Sequence, residues 1–354
     1  MSQEAGNSQH WYWVDLIRAV AIVLVIIIHV TSSLLYRWGK SPLAVWMTGN
    51  IYDSLARIAV PLFFMVSGAL LLGKQEPLQD FFRKRASKLL IPFMFWTLFY
   101  LAWRCNVTAV DSCSRKNIMR FLLVDGTYYH LWFLYALMGL YLITPLVRVV
   151  ATSTEKNILW YFIILWLIFQ PGLAILDTFW KINIGVSLPA ATGYIGYFVL
   201  GYLLNEVNLS KHSLLATLII WLLSTAATII GTYVMSARVG EYFPFFYDYL
   251  NLSVILASVS AFILLKSLIN PNVSDINSHA VKLLNQISVA SFGIYLVHAF
   301  VLDVIGGHIP LIHFNVEMGN PIWSIPLVSG MTFVISFLAV IILQKIPVIN
   351  HIVP

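Results

Sequence analysis

The stretch WVDLIRAVAIVLVIIIHV, Trp13 to Val30, decides the fold. It is one long apolar run interrupted by Arg18 and His29. A transmembrane helix needs about 20 predominantly apolar residues, and ionisable groups at bilayer depth are costly enough to mark a site by default. Eleven steps of about 1.5 Å and 100° separate the two residues by roughly 16 Å and three turns, so both fall on one helix face. With Arg18 at the headgroup level, His29 reaches about the middle of a roughly 30 Å hydrocarbon layer. That geometry suits a substrate whose charged head stays outside and whose reactive end points inward.

The rest of the chain reads the same way. Of 354 residues, 60% are apolar and 10% charged, and the mean hydropathy is +0.84, a balance that excludes a water-soluble core. The expectation is an all-α polytopic membrane protein. Ten spans are legible: Tyr12 to Leu34, Ile51 to Leu72, Leu89 to Trp103, Leu131 to Val150, Ile158 to Leu176, Ala191 to Leu204, Leu214 to Met235, Leu250 to Leu268, Leu284 to Ile305 and Ile322 to Leu343. The third and sixth are short for a crossing. Nothing resembles a cleaved signal peptide, and no connection is long enough for a second folded unit. Residues 1–354 therefore read as a single membrane domain, embedded over about 12–346.

Ten spans put both termini on one side. With the termini cytoplasmic, twelve Lys and Arg residues lie inside and eight outside, and the run from Lys74 to Lys88 dominates the difference. Cys105 and Cys113 then fall in an outer connection, where an oxidising exterior would let them pair. The net charge of +6 sits in membrane-flanking loops, which suits lipid headgroups and excludes nucleic acid as a partner.

Three further stretches carry chemistry. In the second span, Pro61 leaves the carbonyl of Arg57 without its helical partner and bends the helix beside a buried cation. Arg57 then either faces a cavity or pairs with Asp53 one turn earlier. Between the second and third spans, Arg83, Lys84, Arg85 and Lys88 form a cationic cluster. It suits the phosphates of a nucleotide-like donor, or equally a lipid anchor that sets topology, and composition by itself favours the anchor. In the ninth span, Ser291, Tyr295 and His298 form a polar stripe at spacings of four and three. Counting depth along the helices puts His29, Arg57, Tyr295 and His298 in one mid-membrane layer, with Asp15 one turn before Arg18 as a further supporting polar group. The run His130-Leu-Trp132-Phe-Leu-Tyr135 reads as an interfacial aromatic belt, and Asp303 as a residue near the outer interface. No phosphate loop, nucleophile elbow, zinc-protease helix or cysteine metal array is present.

These landmarks together resemble the acyltransferase 3 family of integral membrane acyltransferases. The family's Asp-x-x-Arg, ten residues, then His is matched by Asp15, Arg18 and His29. The stretches beginning at Val60, Arg85 and Ser291 are similar to further family landmarks, with weaker agreement at His130 to Leu134 and Tyr197 to Tyr202. The resemblance implies a stand-alone member without an appended periplasmic domain, in a bacterial inner membrane. It implies acetyl-CoA or another acyl-CoA as co-substrate, no bound cofactor or metal, and a surface glycan or lipid-linked oligosaccharide as acceptor. Arg85, Lys88 and Arg83 would bind the donor, and His29 and Arg18 would be the catalytic pair, Arg18 at the donor's anionic head and His29 at the acyl end as base or as transient acyl carrier. A transporter or flippase for a lipid-linked glycan, using the same buried Arg and His, is the competing reading.

Overall fold

A computed structural model describes residues 11–107, 114–121, 126–152, 156–182, 193–269, 279–308 and 314–354. It is built from helices, with no strand among the described residues. The thirteen α-helices there are α1 (Tyr12–Leu35), α2 (Leu43–Ala56), α3 (Ala59–Leu71), α4 (Leu78–Arg85), α5 (Ile91–Val107), α6 (Arg115–Arg120), α7 (Trp132–Ala151), α8 (Lys156–Trp180), α9 (Ile195–Asn205), α10 (Lys211–Val239), α11 (Leu252–Leu268), α12 (His279–Asp303) and α13 (Pro321–Gln344). Lipid offers the backbone no hydrogen bonds, so apolar runs of this length must satisfy their amides internally, and helices do so.

Nine stretches among the described residues are long and apolar enough to span a membrane. The two short spans of the sequence resolve differently. The third is completed by α4 and a single π-helical turn, Ala86–Leu90, which join α5 into one stretch from Leu78 to Asn106. The sixth is α9, only 11 residues, too short to cross by itself. The second span is α2 and α3 joined at Arg57 and Ile58, the break falling where Pro61 removes the amide that would bond the Arg57 carbonyl.

Helix α1 lies at the centre, packed on α2, α3, α11, α12 and α13. Its apolar side chains Ile17, Ala21, Ile22 and Ile26 are fully buried. Helices α3 and α9 cross so closely that a Cβ on Gly68 would lie 1.7 Å from the Phe198 carbonyl oxygen, and one on Gly201 1.9 Å from that of Met65. Small residues let the backbones touch, a common means of packing helices without a hydrophobic drive. The C-terminal end of α9 is capped by Lys266 of α11, whose ammonium donates to the carbonyls of Leu204 (3.0 Å), Val207 (2.9 Å) and Asn205. By contrast, α8 and α10 turn apolar side chains such as Ile164, Ile168, Leu222 and Leu223 outward, as helices facing lipid do. This arrangement leaves one end of the bundle rich in Lys and Arg, here the basic end, and the polar groups of α1, α3 and α12 inside.

Candidate active site

A cavity of about 770 Å³ opens at the basic end. Its mouth is lined by Arg18, Lys74, Lys84, Arg85 and Lys88, its walls by Phe63, Leu89, Phe133, Leu137 and Phe292, and its polar wall by Ser288, Ser291 and Tyr295 of α12. Arg18 makes no hydrogen bond or ion pair among the described residues, and it faces this space. Arg83, the remaining member of the cationic cluster, is exposed and is not among the lining residues.

Arg85 is held rather than loose. Its guanidinium lies 3.0 Å from Glu76 and over the ring of Phe81, 4.6 Å from the centroid. Glu76, with a side chain only 5% exposed, also lies 3.6 Å from Lys84 and 3.5 Å from Arg148. Burial works against a charge on Glu76, but Arg85, Lys74 and Lys84 outweigh it and hold the carboxyl below its usual range. Arg148 donates two hydrogen bonds to the carbonyl of Leu71, at 2.8 and 3.2 Å, and so ties α7 to the end of α3. Glu76 thus fixes the cationic mouth from beneath.

At the inner wall, Tyr295 leads from the cavity to a cluster of three histidines. The ring of His298 lies 5.8 Å from Tyr295, 5.2 Å from His29 in a stacked arrangement and 5.1 Å from His130, and His29 and His130 are 6.5 Å apart, all between centroids. His298 and His130 are fully buried, while His29 keeps partial exposure. The Nδ1 atom of His298 faces the carbonyls of Tyr295 (2.7 Å) and Ile294 (3.2 Å). Carbonyls only accept, so Nδ1 carries the proton, and in the neutral ring Nε2 is left as a buried acceptor with no partner among the described residues. The tyrosine hydroxyl of Tyr295 donates to the carbonyl of His130 and locks the loop before α7 against α12.

Tyr100 of α5 reinforces this point. Its hydroxyl donates to the carbonyl of Leu296 (2.7 Å) and accepts from the amide of Phe300 (3.1 Å), entering the α12 ladder on either side of His298. Tyr100 also packs edge-on against His130 (4.9 Å) and stacks on Tyr128 (4.5 Å). Tyr128 and Trp103 both donate to Asp303, the latter at 3.0 Å. Burial and the Asp303 carboxylate hold the Tyr128 phenol above its usual range, so it remains a donor.

The other predicted polar groups have partners of their own. Arg57 pairs with Asp53 at 2.7 Å and lies between Tyr247 (4.5 Å) and Tyr249 (5.6 Å). The rings of Tyr249, Trp132 and Phe133 run from it to Tyr295, and its charge also acts on His29. Asp15 is buried near the basic end, where the amide of Asn285 donates to it at 3.3 Å, tying α1 to α12 well away from the histidines. Cys105 is disulfide-bonded, and Cys113 lies outside the described residues.

The acyltransferase-domain family model matches residues 11–341. The chain belongs to the acyltransferase 3 family. The chain is also 28% identical over 142 residues to an amino-acid racemase of Enterococcus faecalis and 29% over 140 residues to a serine/alanine racemase of Enterococcus gallinarum. Each match covers 38% of this chain and 19% of the racemase, so the chain spans about a fifth of the length of these curated relatives. No solved structure matches it.

In this membrane acyltransferase, the reading of His130 as part of an interfacial belt is corrected: His130 is 1% exposed and belongs to the histidine cluster. Aromatic-rich stretches at a span's end look alike whether they lie on the interface or fold inward. Here the Tyr295 hydrogen bond and the Tyr100 ring draw the segment in. Glu76 and Tyr100 carried no sequence signal, because each matters only through residues distant in the chain.

Proposed function

We propose that this acyltransferase moves an acetyl group from acetyl-CoA to a hydroxyl of a cell-surface glycan or its lipid-linked precursor, in a bacterial inner membrane with both termini cytoplasmic. The observation that carries the reading is a cavity with a cationic mouth and apolar walls whose lining includes Tyr295. That ring stands between the cavity and a cluster of neutral-capable histidines, none of which lines the cavity itself. A nucleotide's phosphates match Arg18, Arg85 and Lys88, and the thin pantetheine arm matches the aromatic walls. The acyl carbon then arrives beside Tyr295, next to His29 and His298.

There His29 removes the proton of the acceptor hydroxyl as its oxygen bonds to the thioester carbonyl carbon. The tetrahedral intermediate collapses with cleavage of the carbon–sulfur bond, and the thiolate takes up the proton. His298, its tautomer set by its own helix carbonyls, fixes the second imidazole against the first. Racemisation is not part of this reading, since the racemase likeness covers a minor part of both chains. Mass spectrometry of surface glycan from cells with and without the gene tests the proposal: acetyl groups disappear with the gene. Unchanged acetylation, or glycan accumulation inside the cell with acetylation intact, would instead support transport.

A further inference from the structure

The histidine cluster has a second side. Tyr129 lies against His29 with ring centroids 4.7 Å apart and against His130 at 5.6 Å. It is 47% exposed, yet it is not among the residues lining the cavity. Its exposed area is therefore separate from that cavity, and it precedes α7, whose other end carries Arg148 beside Glu76 at the basic end. Its neighbours are anchored: Tyr128 donates to Asp303 and stacks on Tyr100, and the His130 carbonyl accepts from Tyr295. Tyr129 is thus a ring held over His29 by a pinned backbone, between the histidine and the opposite end of the molecule.

We propose that Tyr129 is a specificity-determining plug on the acceptor side. It excludes water from the histidine cluster until a hydroxyl-bearing ring takes its place or stacks on it, and it thereby admits the acceptor from the end opposite the donor. This rests on the acyl-CoA reading above. Without the plug, water substitutes for the acceptor: His29 takes a proton from water, the oxygen bonds to the acyl carbon, the carbon–sulfur bond breaks, and the thiolate is protonated, giving acetate and CoA. A tyrosine serving only as membrane-interface belt would not affect this leak.

The test uses the purified full-length protein with acetyl-CoA and no acceptor. Tyr129→Ala is expected to release CoA about tenfold faster than the wild type or more, with the KM for acetyl-CoA unchanged because the mouth lies at the other end. Tyr129→Phe keeps the ring and stays at the wild-type rate, and adding His29→Ala to Tyr129→Ala abolishes the leak. Should Tyr129→Ala lose acetyl-CoA binding, Tyr129→Cys carries the same expectation, and a benzyl thiosulfonate that rebuilds a ring there closes the leak again. A plug variant that binds acetyl-CoA normally but releases CoA no faster than the wild type overturns the assignment of Tyr129. Failure of the wild type itself to bind acetyl-CoA overturns the donor reading, and this inference with it.

Discussion

Arg18 and Arg57 are both drawn into apolar helices, and the protein treats them in opposite ways. Arg57 is neutralised by Asp53, sandwiched by Tyr247 and Tyr249, and finds the Tyr247 carbonyl at 3.5 Å. Arg18 faces a cavity and has no ion-pair partner among the described residues. A cation in a poorly hydrated place must be compensated by something. For Arg57 the compensation is built into the fold. Among the described residues Arg18 has only the longer-range attraction of Tyr141 and Asp15, and the cations Lys74, Lys84 and Lys88 that line the same cavity call for an anionic visitor to complete it.

The largest effect that could break this contrast is on stability. Asp53→Asn strands the Arg57 guanidinium among aromatic rings and should destabilise the protein by about 3–5 kcal/mol, whereas replacing both partners with apolar residues of similar size should recover most of that. Arg18→Gln should change stability far less, since no ion pair or hydrogen bond is lost and only the longer-range attraction of Tyr141 and Asp15 goes. Thermal unfolding in detergent, followed for the three variants together, compares the arginines directly, and equal destabilisation by Asp53→Asn and Arg18→Gln would erase the distinction.

A second effect belongs to ligand binding. Loss of one charge-assisted contact should weaken acetyl-CoA by about tenfold in Arg18→Gln, with kcat little altered because the contact persists from ground state to transition state. Arg85→Gln should weaken it only a few-fold, because Arg85 already shares its charge with Glu76 and Phe81. Steady-state CoA release measures both, and a larger effect at Arg85 than at Arg18 would reverse the assignment of the uncompensated cation.

Much of this contrast was legible before the structure. The spacing of Arg18 and His29 gave a shared face, and Pro61 gave the break beside Arg57. Depth counting along two helices brought His29 and His298 to one level, where their rings do stack. Depth is one coordinate, however, and it does not report direction around the helix or contacts made by connecting segments. For that reason the sequence grouped Arg57 with the histidines, and its charge does act on His29, but depth did not reveal that Asp53 and two tyrosines from the segment between α10 and α11 compensate it. For the same reason His130 read as belt. The cationic run from Arg83 to Lys88 gave charge but not orientation, which Glu76 supplies from a short connection before α4.

The smallest effect is a pH dependence. Glu76 titrates below its usual value, so the stability its ion pairs contribute is complete above the unfolded pKa of about 4.3 and is lost as pH falls through the lower folded value. Glu76→Gln should remove that acid-side slope and free the charge that Arg85 shares with it, slightly lowering the KM for acetyl-CoA at neutral pH. Unfolding temperatures taken across the acid range for wild type and variant check the sign, and an unchanged slope in Glu76→Gln would assign it to other carboxylates.

The account rests on a division of labour between a mouth that binds and a histidine cluster that reacts. The most direct measurement of it is acetyl-CoA binding and acetyl transfer made on one preparation of His29→Ala. Binding should match the wild type, because Arg18, Arg85 and Lys88 are intact, while transfer should fall by about 10²–10⁴-fold as expected for loss of a general base. Wild-type transfer by the folded variant, or loss of acetyl-CoA binding with the mouth unaltered, would contradict it.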